Sequence, residues 1–218
     1  MFTDLLNLPL DRDSTHSQDQ ILTLSGMSWS DYEKVIDREN YSYKISYFNG
    51  VITIVFPSIN HEIIEQTISI LINAYCRKYK LLYFPMGSTT LKNFSMVGKE
   101  PDTSYSFETR KTIPDLAIEV IYSSGETPRR RKTQGNAHQE SGSIYDSLTK
   151  YKYLNVKEVW FWKNNEITFY HLVNSEYKKI KNSVYLPKLS ADFLIAFINR
   201  GLTETPLIIE DDFYQQLN

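Results

Sequence analysis

The sequence predicts a mixed α/β (α+β) domain: a central mixed sheet flanked by helices and entered through an N-terminal helix and hairpin. Three observations predict it. Residues 60–80 repeat apolar side chains at helical spacing, Ile63/Ile64, Ile68, Leu71/Ile72 and Tyr75, the pattern of a helix lying on a sheet. "YKISYFNGVITIVFP" alternates in period two about Asn49-Gly50, a strong hairpin signal. The remainder runs as several short strands, a helix, a second hairpin and a last helix, an order that belongs to a sheet covered by helices.

The elements follow in chain order. "MSWSDYEKVIDREN" opens as a helix, with Ser28 as its cap and Asp31 in the first turn. Pro57 closes the second strand of the first hairpin. The long helix carries Arg77, Lys78 and Lys80 in its last turn, either as favourable charge at a helix C-terminus or as a phosphate contact. Strands are expected at 81–85, 87–92, 102–107 and 115–122, and a helix over 144–154. "KEVWFW" and "ITFYHL" form a hairpin around "KNNE", and "YKKIK" is a third, polar strand. "SADFLIAFINRG" is a helix capped by Ser190, with Gly201 just past its end. Trp160, Phe161 and Trp162 alternate faces, so both sides of their strand must be covered, by helices of the same chain or by an oligomeric partner.

These elements divide the chain into an arm at 1–26, a domain at 27–200 and an extension at 201–218. The arm is polar and reads as loosely held. Residues 126–142, "ETPRRRKTQGNAHQESG", are polar and aperiodic between two Ser-Gly pairs and read as a loop insertion. Its Arg129, Arg130, Arg131 and Lys132 can grip a phosphate backbone or form a solvated run.

Composition narrows the function classes. With 41% hydrophobic and 14% aromatic residues, general disorder is excluded. A formal charge of −2 gives no overall basic field, so a nucleic-acid partner must be met by local charge. The single cysteine, Cys76, permits no intramolecular disulfide and suits a reducing compartment. No stretch approaches the roughly 18 apolar residues of a membrane span, and the first residues carry acids where a signal peptide needs positive charge. A cytoplasmic protein without membrane contact is the expectation.

The chemistry is expected in the acids of "EPDTSYSFETRKTIPDLAIEVIYSSG", residues 100–125. Asp115 and Glu119 lie on one face of a strand, but their Cα atoms are roughly 13 Å apart at ~3.3 Å per residue. That is too far for both to reach oxygens about 2.1 Å from one Mg²⁺. Asp115 therefore reads as a strand-entry residue. Asp102 begins the preceding strand, and a hairpin would set it about 4.8 Å from Glu119's strand. Asp102 with Glu119 is the pair that can converge on a cation. The alternative is a buried Glu119 with a structural partner or a Glu119 facing solvent at an edge.

An aspartate after proline at a strand start, then a glutamate inside an apolar strand, resembles the skeleton of the PD-(D/E)xK nucleases. "MSWSDYEKV", "ISYFNGVITI" with "PSINHE", "GSTTLK", "EPDTSY", "PDLAIEV" and "LNVKEVWFW" with "ITFYHL" resemble the Uma-type restriction-endonuclease family over residues 27–172. The resemblance implies a restriction-endonuclease-like core, DNA as substrate, Mg²⁺ (or Mn²⁺) as cofactor, and a possible homodimer. It implies Asp102 and Glu119 as catalytic metal ligands, with the carbonyl of Val120 completing the metal shell. His61 and Glu62 match its "HE" at the start of the long helix, and Glu65 lies one turn on. A helix-start histidine is more often a packing or hydrogen-bonding residue than a ligand. Lys92 is a candidate phosphate contact.

Two departures qualify the resemblance. The superfamily's lysine would stand two residues after Glu119, where this chain has Ile121. The substitute it implies is Lys150 on the following helix; Ser147, one turn earlier, occupies another common position. Lys152 lies about 200° round the helix from Lys150 and is a poor alternative. The second departure is the 126–142 insertion, which lies between Glu119 and that helix and could displace Lys150 or leave it untouched. The acid that many relatives carry before the first hairpin's glycine is absent as well, since the turn reads Phe48-Asn49-Gly50. The leading expectation is a metal-dependent endonuclease. The alternative is a catalytically degenerate module that binds nucleic acid or protein.

Overall fold

The structure, a computed structural model, describes residues 18–37, 43–122 and 144–217. Local chemistry explains where its elements begin. Ser28 and Asp31 form a reciprocal capping box that opens α1 (Trp29–Ile36): the Ser28 hydroxyl accepts from the Asp31 N–H at 3.1 Å, and Asp31 accepts from the Ser28 N–H at 3.0 Å. Asn49 and Gly50 both adopt positive φ, 48° and 75°, which lets a tight turn join β2 (Lys44–Phe48) to β3 (Val51–Phe56). Ser58 caps α2 (Ile59–Tyr79).

Two sheets follow. The first is antiparallel, in the order β1-β3-β2-β6-β5. It adds β1 (Gln20–Ser25), β5 (Leu91–Asn93) and β6 (Val97–Lys99) to the hairpin. The second is mixed, in the order β11-β10-β9-β8-β7-β4. Its strands are β4 (Tyr83–Pro85), β7 (Thr103–Phe107), β8 (Leu116–Ile121), β9 (Glu158–Lys163), β10 (Glu166–Val173) and β11 (Glu176–Ile180). Only β8 and β9 run parallel, and α3 (Ile144–Tyr153) lies in the connection between them, as a parallel crossover requires.

The core is divided by this second sheet. Leu116, Ile118, Val120, Trp160 and Trp162 meet Ile64, Ile68, Leu71 and Ile72 of α2. The alternate residues Ala117, Val159 and Phe161 meet Leu148 and Tyr151 of α3. Helices of the same chain thus cover both faces of the Trp160–Trp162 strand. Glu158 is fully buried and accepts from the Trp160 indole N–H (2.6 Å) and the Val184 N–H (2.8 Å), pinning β9 to the segment leading into α4 (Ala191–Ile198).

The structure departs from the sequence reading in three places. Residues 20–25, taken as part of a loose arm, pair with β3 from Gln20↔Phe56 to Ser25↔Val51, and Leu22 and Leu24 pack on the α1 cluster. The signal was the short alternation Leu22-Thr23-Leu24-Ser25. The strand expected over 87–92 begins only at Leu91, and β6 had not been anticipated. Gly98 and Lys99 give β6 poor strand propensity; its place is fixed by pairing with β2, Ser46↔Lys99 and Tyr47↔Gly98. Residues beyond 200 are also integral. A 3₁₀ turn (Asn199–Leu202) leads to α5 (Pro206–Gln216), which buries Ile209 and Phe213 in the α2 cluster. The segment 126–142, with Arg129, Arg130, Arg131 and Lys132, lies outside the described residues.

Gly98 has a steric requirement. A Cβ built on it would lie 2.2 Å from the Tyr32 hydroxyl oxygen, and Tyr32 is fully buried. Gly98→Ala must displace α1 or β6, and overpacking of this kind costs about 1–3 kcal/mol. A loss of about 3 kcal/mol in urea unfolding is expected; an unchanged midpoint would contradict the packing.

Candidate active site

The chain leaves the first sheet at Lys99 and enters the second at Thr103, so the four residues 99–102, Lys-Glu-Pro-Asp, form the junction of the two sheets. Pro101 has no N–H to offer a ladder. Glu100 fastens the junction on one side, accepting from the Ile45 N–H (2.9 Å) and the Thr90 hydroxyl (2.8 Å). Lys99 and Asp102 are left facing inward, each less than a tenth exposed.

The register brings Asp102 to Glu119. Thr103 pairs with Ile118 on antiparallel strands, and the preceding Asp102 also donates its N–H to the Ile118 carbonyl, at 3.1 Å, which sets Asp102 beside the Ile118–Val120 stretch that carries Glu119. Asp115 does what its position at the strand entry suggested. It accepts from the Phe107 N–H (2.8 Å) and pairs with Lys111 (2.6 Å).

Each acid has its own partners. Asp102 Oδ2 accepts from the Val120 N–H at 2.6 Å, and Oδ1 lies 3.2 Å from His61 Nε2. His61 Nδ1 is 2.9 Å from Asp19 Oδ2, so His61 bridges two carboxylates. Asp19 stands just before β1 and also accepts from the Ser58 and Tyr122 N–H groups, at 2.9 and 3.1 Å. Glu119 Oε2 accepts from Lys99 Nζ at 2.7 Å, and Oε1 accepts from the Tyr151 hydroxyl. Lys150 Nζ pairs with Asp146 at 2.8 Å and donates to Ser46 Oγ at 3.1 Å. Ser46 is the β2 residue opposite Lys99, so the two lysines converge from α3 and β6.

Burial and charge compete throughout. Burial alone would depress the His61 imidazole, but Asp102 and Asp19 outweigh it and raise it from 6.5 to about 11. His61 is therefore an imidazolium. Burial would raise Asp102, yet His61 and Lys99 hold it below its ordinary value. Glu119 is raised, because burial prevails over Lys99. Lys150 is lowered by burial, against the pull of Asp146.

Of the helix acids, Glu62 is exposed in the first turn of α2. Glu65 is buried and raised from 4.5 to about 7, by burial first and then by Asp102 and Glu62, against Lys44. A carboxyl raised on folding favours the protonated form. Its stability is fully present below the unfolded value near 4.5 and is lost as pH rises through about 7. At ~1.36 kcal/mol per unit this amounts to about 3 kcal/mol. Glu65→Gln is expected to flatten that decline, gaining about 3 kcal/mol over wild type between about pH 4 and pH 8 in urea unfolding. Equal pH slopes in the two proteins would contradict it.

Lys92 is exposed on β5, opposite Gly98 of β6. Sequence reasoning missed Lys99, Asp19 and Tyr151. Lys99 had a weak signal: it stands three residues before Asp102, across a proline that interrupts the strand. Asp19 had none, because its role depends on β1 pairing with the distant β3, from Gln20↔Phe56 to Ser25↔Val51.

A mixed sheet with paired acids at a strand entry, covered by α2 and α3, is a restriction-endonuclease-like fold. A solved structure from Anabaena variabilis, titled a putative nuclease belonging to DUF820, shares it at TM-score 0.52 and 13% identity, over 79% of this chain and 99% of that one. The chain belongs to the Uma2 family, described as putative restriction endonuclease, whose profile matches residues 29–196. Among curated proteins nothing matches. No described helix is long and apolar enough to cross a membrane.

Proposed function

We propose that this protein is a metal-dependent endonuclease that hydrolyses phosphodiester bonds of DNA at Asp102 and Glu119. One observation carries the reading: two buried carboxylates, Asp102 at the entry to β7 and Glu119 on the neighbouring β8, with buried lysines beside them. The donor chemistry fits Mg²⁺ or Mn²⁺. Among the described residues no three of His, Cys, Asp and Glu form a cage, and Mg²⁺ is held by one or two carboxylates plus waters and substrate phosphate. Asp102 and Glu119 would hold the ion. Val120 turns its N–H toward Asp102, and a strand residue's C=O points to the same side, which suits its carbonyl as a third oxygen donor. The ion would polarise a phosphate oxygen and acidify water.

The protein's own groups supply the rest. His61, fixed by Asp19, orients Asp102 and keeps it ionised. Tyr151 holds one Glu119 oxygen and leaves the other to the lysine side of the site. Lys99 and Lys150 offset phosphate charge. Exposed Lys92 extends the contact along the backbone. A module that binds without cutting is favoured by one feature, Ile121 in the place of a strand lysine. Nicking of supercoiled DNA in Mg²⁺ or Mn²⁺ separates the two: the nuclease nicks and Asp102→Asn does not, whereas the module binds with salt dependence and nicks under neither ion.

A further inference from the structure

Three cationic side chains are buried around the two acids, and their engagements differ. His61 is held between two carboxylates, Asp19 and Asp102. Lys150 is held by Asp146 and Ser46, neither of which belongs to the pair. Lys99 alone of the two lysines has its ion pair with a member of the pair, Glu119, at 2.7 Å. Its position is fixed by its neighbours. It ends β6 opposite Ser46, follows Gly98 against Tyr32, and precedes the Glu100 clamp. Its ammonium sits 5.8 Å from the centre of the Tyr151 ring, whose hydroxyl holds the other Glu119 oxygen.

We infer that Lys99 is the catalytic lysine of this site, donating from β6 to a non-bridging oxygen of the scissile phosphate in place of the lysine that Ile121 lacks. The inference rests on the nuclease reading above. Without a divalent ion, Lys99 and His61 neutralise Glu119 and Asp102. Glu119 cannot give its full charge to two cations, so the Lys99 ammonium is the group set free for an anionic substrate when Glu119 serves as a ligand. It lies in a buried site, where such a contact is strongest. Lys150 has its partners, Asp146 and Ser46, outside the carboxylate pair, so metal binding at Glu119 does not by itself release it.

This account assigns Lys99 opposite effects on two measurements, which a merely structural lysine would not have. The variants are Lys99→Met, Lys150→Met and Lys99→Met with Ile121→Lys; Ile121 shares its strand face with Glu119. Each is assayed for Mn²⁺-dependent nicking of supercoiled plasmid and for Mn²⁺ affinity by calorimetry. Lys99→Met is expected to nick at least about 100-fold more slowly while binding Mn²⁺ as tightly as wild type or tighter, because a competitor at Glu119 is gone. Adding Ile121→Lys is expected to restore nicking about tenfold or more. Nicking by Lys99→Met at the wild-type rate, or loss of nicking together with loss of Mn²⁺ binding, would overturn the assignment. So would a larger nicking defect in Lys150→Met that leaves Mn²⁺ binding intact. Wild-type protein that nicks under neither ion defeats the nuclease reading itself. Wild type that nicks beside an equally active Lys99→Met defeats only the lysine.

Discussion

Asp102→Asn is expected to lower metal-dependent cleavage of DNA by at least about 10³-fold, the upper range for removing one electrostatic contact from a reacting site. The substitution is nearly isosteric, and the network tolerates it. The asparagine oxygen can still accept from the Val120 N–H, now held by Asp102 at 2.6 Å. Its NH₂ can donate to His61 Nε2 once that ring loses its second proton. The imidazolium depends chiefly on Asp102, so the same variant should bring the His61 titration down from about 11, an effect visible by NMR. Cleavage at the wild-type rate, with folding unchanged, would remove Asp102 from the chemistry.

Asp19→Ala should have the largest effect on stability. One carboxylate there serves three partners: the Ser58 N–H at the head of α2, the Tyr122 N–H just past β8, and the His61 ring. Its removal leaves a buried imidazolium with one of its two anions and frees the start of α2. Breaking a buried ion pair by deleting one partner costs about 3–5 kcal/mol, and that loss is expected in urea unfolding. Asp19→Asn retains an acceptor for the backbone donors and should lose less. The His61 contribution also sets a pH dependence. A group raised from 6.5 to about 11 stabilises the fold fully below its unfolded value and loses that stabilisation as pH rises through about 11. Asp19→Ala should shrink this alkaline loss. A substitution with no effect on the midpoint would mean that β1 contributes nothing to the site.

These two residues mark what the sequence makes legible. Asp102 was readable because its evidence is local: a proline, an acid, a short polar turn and a second strand together constrain which carboxylates can meet. The same holds for the Asn49-Gly50 turn, the Ser28 cap and the faces of Trp160 and Trp162, each dictated by a few neighbouring residues. Asp19 and Lys99 depend on pairings across long stretches of chain. Asp19 reaches His61 only because β1 lies on β3, and Lys99 reaches Glu119 only because the chain passes from β6 of one sheet to β7 of the other within residues 100–102. Lys150 is an intermediate case. Its helix was predicted and the resemblance implied a place near the acids; it is buried, but its ammonium meets Asp146 and Ser46. Which of several inward lysines touches the acid is decided by distances of a few ångströms, and spacing along a helix does not resolve those.

The central claim is that Asp102 and Glu119 jointly hold one divalent ion. A crystal of the protein soaked in Mn²⁺, with data collected for the metal's anomalous signal, tests it most directly. The account predicts a single peak within about 2.0–2.3 Å of an oxygen from each carboxylate, absent in Asp102→Asn. A peak bound elsewhere, or none while both carboxylates keep their His61 and Lys99 contacts at saturating Mn²⁺, would contradict it.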